Sequence, residues 1–211
     1  MKPPYPKTPS EIMLIGANLL PLAGAVLWDW KVFDILLLYW IENIIVGVMN
    51  VFKMIALMAH KKLLIAFPIV FFFIFHYGAF TAGHGIFVIL LFGLQLKTGQ
   101  SAEWTDVETL MLGVVGDPLF LLAVLGLVAS HGFSFFANFL RGGEIDRTSL
   151  PQQMNAPYGR IIVLHITIIL GGGATMMAGE PVWALALLTL LKTAGDLRAH
   201  RRSHQKRAKT T

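Results

Sequence analysis

Glu42, His76, His131 and His165 stand deep inside four separate apolar runs of this sequence. A charged or strongly polar group in hydrocarbon costs on the order of 2.5–3.5 kcal/mol, so such residues persist where they face a bundle interior and have partners. Three imidazoles and one carboxylate form the donor set of a zinc, iron or other transition-metal site. Neutral imidazole ligates all of these metals, and the carboxylate supplies compensating charge. With one metal position open, bound water would be acidified toward neutral pH and act as a hydrolytic nucleophile, with Ser134 or Tyr158 orienting it. A redox metal would instead make an oxidoreductase acting on lipid or quinone. His84, farther along the run that holds His76, is a more peripheral fifth candidate.

The same residues admit other chemistry. Two of the three midplane histidines could be axial ligands of a b-type haem, with Gly78, Gly132 and Gly172 leaving room for the porphyrin. Glu42 and the histidines could relay protons or a cation, a path that His84 would extend to one side. In a non-catalytic assembly subunit the polar residues would only join helices. They do fall in stripes: Asn43, Gly47 and Asn50 beside Glu42 and Lys53; His76, Thr81 and His84; His131, Ser134 and Asn138; Tyr158, His165 and Gly172; Lys192, Asp196 and His200.

The elements that carry these stripes follow from composition. Of 211 residues, 55% are hydrophobic and 14% charged, whereas soluble domains are about 25% charged. A soluble globule could not cover itself with so few polar groups, and a disordered chain would be far more polar. The expected fold class is all-α, an integral membrane bundle. Spans of about 20 residues give six transmembrane helices, near 11–29, 33–57, 63–95, 109–140, 157–178 and 181–199. They form a domain over 11–199 between an N-terminal segment, 1–10, and a basic tail, 200–211. The third and fourth are over-long. They either tilt and project or break at Tyr77-Gly78 and Gly116-Asp117-Pro118, where Gly and Pro weaken a helix.

Counting about 1.5 Å per residue from the expected helix ends puts Glu42, His76, His131 and His165 at one depth. That depth is a band around the middle of a hydrocarbon core about 30 Å thick. His84 falls about 12 Å outward of His76.

Loop charges orient the bundle. Lys2 and Lys7, Lys61 and Lys62, then Arg141, Arg147 and Arg160, and the tail fall on one side. The positive-inside rule places that side, with both termini, in the cytoplasm. Trp28, Trp30, Trp104 and Trp183 fall near the outer ends, as interfacial aromatics do. The net charge of +5 belongs to the last fourteen positions, whose six basic residues, Arg198 and five in the tail, leave 11 basic against 12 acidic elsewhere. Such a tail meets anionic lipid headgroups. Nucleic acid is not expected, because aromatic interleaving and a folded basic surface are missing. Zero cysteines remove disulfides, thiolate ligands and cysteine nucleophiles.

Four groups of residues carry a family resemblance. They are Tyr39-Trp40-Ile41-Glu42-Asn43 with Asn50 and Lys53, His76-Tyr77-Gly78 with His84-Gly85, Ser130-His131-Gly132 with Ser134 and Asn138, and Tyr158 with Arg160 and His165. Together they resemble an uncharacterised family of small bacterial and archaeal multi-helix membrane proteins, a domain of unknown function, over roughly residues 30–200. The resemblance implies a prokaryotic inner-membrane protein and supplies no activity. Rhomboid proteases are similar in size and helix count alone, since their Gly-x-Ser-Gly motif is absent. Zinc site-2-type proteases carry a His-Glu-x-x-His helix motif that this chain lacks. Membrane desaturases use more histidines, in short clusters.

Overall fold

In the computed structural model, residues 30–94 and 103–166 are described, with Leu27 and Ile169. Regular structure among them is helical throughout. The chain runs through α1 (Val32–His60), a 3-10 turn (Leu64–Ala66), α2 (Phe67–Phe87) and a π-helical extension (Val88–Gly93). It continues through α3 (Trp104–Val115), α4 (Pro118–Ser134), a second π extension (Phe135–Leu140), α5 (Glu144–Arg147) and α6 (Leu150–Asn155). A last helical segment covers 158–166.

Three stretches are long and apolar enough to cross a membrane: Val32–His60, Phe67–Gly93 and Pro118–Leu140. They match the second, third and fourth expected spans. The first and sixth lie outside the described residues except for Leu27, and so does half of the fifth.

Local chemistry sets the helix ends. At the start of α1, the Asp34 carboxylate accepts the Lys31 N–H at 2.8 Å, satisfying a donor that the helix leaves unpaired. Between α3 and α4 the expected break at Gly116-Asp117-Pro118 is present. Asp117 Oδ1 accepts the Leu119 N–H at 2.9 Å, and Pro118 occupies the first helical turn, where its missing N–H costs nothing. Of the two alternatives for the third span, the break at Tyr77-Gly78 is not found, and α2 continues through it. One glycine costs a helix only about 1 kcal/mol, and no cap or proline stands there to turn that weakness into an end.

α1 is the hub. Its buried face carries Phe33, Ile35 to Tyr39, Glu42, Asn43, Gly47, Asn50, Met54 and Leu57, and it packs against α2, α4 and α6. Cross-helix pairs give the directions. Trp40 meets Gly85 and Gly47 meets Tyr77, so α2 is antiparallel to α1. Trp30 meets Phe120, and Phe52 meets Phe135, so α4 runs parallel to α1.

Close approach of α1 and α2 depends on Gly47 and Gly85. A Cβ on Gly47 would lie 2.5 Å from Tyr77 Cε1, and one on Gly85 would lie 2.5 Å from the Trp40 ring. The facing groups use that proximity: Tyr77 Oη donates to the Asn43 carbonyl at 3.0 Å, and Trp40 Nε1 donates to the Thr81 carbonyl at 2.7 Å.

After α4 the chain reverses through Gly143, at φ +71°, where glycine is free to go left-handed. α5 and α6 then climb back along α1. Asp146 Oδ1 lies 2.8 Å from His60 Nε2, and Gln153 Nε2 donates to Asn50 Oδ1 at 2.6 Å.

Candidate functional site: an ion pair and two histidine contacts along one helix

The segment 158–166 brings three side chains to the bundle at successive levels. Tyr158 Oη lies 2.8 Å from His76 Nδ1. Arg160 Nη1 donates to Glu42 Oε1 at 2.7 Å. His165 Nδ1 lies 2.9 Å from His84 Nε2. The order of these pairs makes the segment parallel to α2.

Glu42 is the most enclosed of the charged groups here, its side chain 8% exposed. The same oxygen that accepts from Arg160 lies 3.5 Å from His131 Nε2, which forms an ion pair when the imidazole carries its second proton. The Arg160 and His131 side chains are 27% and 22% exposed, so the cluster is sealed at Glu42 and open at its cationic edge. Neighbouring polar groups are tied locally. Asn43 Nδ2 donates to the Tyr39 carbonyl at 2.9 Å, and Asn138 Nδ2 donates to Ser134 Oγ at 3.2 Å. Ser134 and Asn138 thus partner each other along one helix.

The expected quartet of metal ligands is divided in this arrangement. Glu42 and His131 share a level, as their depths implied. His76 is exposed, stacked on Phe72 with ring centroids 5.1 Å apart, and takes Tyr158 as its partner. His165 is level with His84, the candidate expected farther outward. Among the described residues, no group of three or more His, Asp or Glu side chains is placed to hold a metal.

The displaced level of His165 has a physical cause. Tyr158, which opens its helical segment, lies beside His76, nine residues into α2 and therefore about 13 Å along it. Because α5 and α6 carry the chain inward along α1, this segment starts deep, and its residues lie farther along the bundle than a count from a membrane surface gives.

Arg160 is the residue that sequence reasoning missed. By type and position it groups with the basic connections, which positive-inside composition explains. The signal that could have found it was the need of the buried Glu42 for a counter-charge, since Arg160 is the nearest basic residue in sequence to Tyr158 and His165. Two further buried polar atoms, Asn43 Oδ1 and Thr81 Oγ1, have no hydrogen-bond partner among the described residues.

The sequence profile of the family described as "Family of unknown function (DUF6498)" matches residues 1–211. The chain belongs to that family. The DUF6498 match is wider than the expected resemblance over roughly 30–200, taking in the N-terminal segment and the basic tail. No curated protein matches the chain, and no solved structure does.

Proposed function

We propose that this chain is an integral membrane protein that takes up and passes on protons within the bilayer, with Glu42 as the central group and His131 and Arg160 as its partners. The observation that carries the reading is the shared oxygen: Glu42 Oε1 accepts from Arg160 at 2.7 Å and stands 3.5 Å from His131. A guanidinium already neutralises the carboxylate, so a divalent metal placed there would meet like-charge repulsion from Arg160. A proton arriving on His131 meets instead a carboxylate oxygen it can pair with. Intramembrane carboxylates and histidines with named partners are the usual groups of proton relays. The basic end of the bundle, with Lys61 and Arg141, faces the cytoplasm in this reading, and the membrane is the inner membrane of a prokaryote.

The test is proton flux into proteoliposomes carrying an internal pH-sensitive dye, driven by a potassium diffusion potential. Wild type is expected to acidify the lumen, and Glu42→Gln to lose that flux while staying monodisperse in detergent. Wild-type flux equal to that of protein-free liposomes, or Glu42→Gln flux equal to wild type, overturns the reading.

A second reading has the part-exposed edges of Arg160 and His131 in its favour. They would let the polar part of a membrane-embedded substrate reach the cluster, with His131 as general base in hydrolysis or proton abstraction. For haem, the three histidines expected to supply its axial ligands go to separate partners, His76 to Tyr158, His131 to Glu42 and His165 to His84.

A further inference from the structure

The His84–His165 contact stands apart from the Glu42 cluster, and the reading above makes no use of it. We propose that these two imidazoles, through His84 Nε2 and His165 Nδ1, bind a late first-row divalent transition-metal ion such as Zn2+ or Cu2+.

Hydrogen bonding sets the chemistry of His84. Its Nδ1 lies 2.6 Å from the Phe80 carbonyl oxygen, which can only accept, so Nδ1 carries the hydrogen. In the neutral ring Nε2 is then a bare lone pair. A ring N–H tied to a backbone carbonyl is the outer support that metal-ligating histidines regularly have, since it fixes tautomer and orientation. The ring is also held in place. His84 is buried, and one residue on, Gly85 lies so close to Trp40 that no side chain fits there.

The separation of the two nitrogens fits adjacent ligands. Two imidazoles at about 2.0–2.1 Å from one tetrahedral ion stand about 3.3 Å apart. The observed 2.9 Å is a direct hydrogen bond that needs to open by only a few tenths of an ångström. The rings are nearly perpendicular, with an interplanar angle of 84°, so they do not stack, and a modest tilt of the exposed His165 ring is what would bring its Nδ1 beside His84 Nε2 on one ion.

On metal binding, the hydrogen that His165 Nδ1 donates to His84 passes to His165 Nε2. Both rings remain neutral, and no net proton is released. His165 is exposed, which leaves the remaining coordination positions open on its side for water or a substrate atom. Imidazole nitrogen selects zinc, copper, nickel and iron over magnesium and calcium.

The test uses the full chain with His200→Ala and His204→Ala, to remove tail histidines as competing ligands, purified without chelators. Zn2+ is titrated against a chromophoric chelator, and Cu2+ is added for electron paramagnetic resonance. The expected result is one ion per chain with two nitrogens coupled to the copper. His84→Ala and His165→Ala should each weaken Zn2+ binding by roughly tenfold or more, at least what loss of an outer-shell partner costs. Should His84→Ala fail to fold, the exposed His165 carries the test. His165→Asn keeps a hydrogen-bonding side chain and is expected to lose the ion, whereas His165→Cys supplies a new ligand and is expected to restore it. Absence of stoichiometric binding by the His200→Ala/His204→Ala chain, or binding left unchanged by His165→Asn, overturns the proposal. Liposome flux is read separately, so either proposal can fail alone.

Discussion

A carboxylate enclosed as Glu42 is keeps its place through the groups that face it, and those groups are not equally enclosed. Removing one partner of a fully buried ion pair costs about 3–5 kcal/mol because the other is stranded. Arg160→Gln takes the guanidinium from Glu42, which is 8% exposed; Glu42→Gln takes the carboxylate from Arg160, which at 27% is less enclosed and has less to lose. Thermal stability in detergent is therefore expected to fall more for Arg160→Gln than for Glu42→Gln. The double variant should lose less than the sum of the two, because the penalty of a stranded partner is then absent. Equal losses that add would show that the pair does not interact in the folded protein. At this scale the sequence was half legible. An intramembrane glutamate announces itself by its cost, and Glu42 and His131 do share a level. Its main partner lay hidden because an arginine near a helix start has a simpler explanation.

At the scale of elements, close packing of α1 on α2 rests on absent side chains. Gly47→Ala would press its Cβ into the Tyr77 ring, and that ring is pinned by its hydroxyl on the Asn43 carbonyl. Overpacking of this kind costs typically about 1–3 kcal/mol. A lowered melting temperature, partly recovered on adding Tyr77→Leu, is the expected outcome, and an unchanged melting temperature would refute the contact.

Helix existence was readable from apolar length, and the break before α4 from Gly116, Asp117 and Pro118, since a cap and a proline act locally. The depth of His165 was not readable. It depends on α5 and α6, which climb along α1 through tertiary contacts such as Gln153 to Asn50, and no local pattern encodes how far inward a chain has been carried. The two π extensions were equally hidden. Their i to i−5 closures, Leu94 N–H to the Ile89 carbonyl and Arg141 N–H to the Phe136 carbonyl, differ from α closures by one residue.

For the whole molecule, the described contacts sort the connections onto two ends. The α1–α2 turn meets the stretch around Asp146 and Thr148, where Lys61 Nζ donates to the Thr148 carbonyl at 2.6 Å. At the opposite end Gly93 faces Phe33 and Leu110, beside the start of α1. α1 alone, at 29 residues, is about 43 Å long and exceeds a hydrocarbon core of about 30 Å. Because the chain has no cysteine, single introduced thiols report unambiguously. Ala59→Cys and Arg147→Cys are expected to react with a membrane-impermeant maleimide from the cytoplasmic face only, and Glu103→Cys from the other face only. Labelling of Ala59→Cys and Arg147→Cys from different faces would break the arrangement of α1, α5 and α6.

Tyr158, Arg160 and His165 are carried by a single helical segment, and their partners sit on two others, α1 and α2. They are teeth on one rack. A slide of that segment along the bundle by a single turn, about 5.4 Å, would part all three contacts at once, so the carboxylate and both histidine partners engage or let go together.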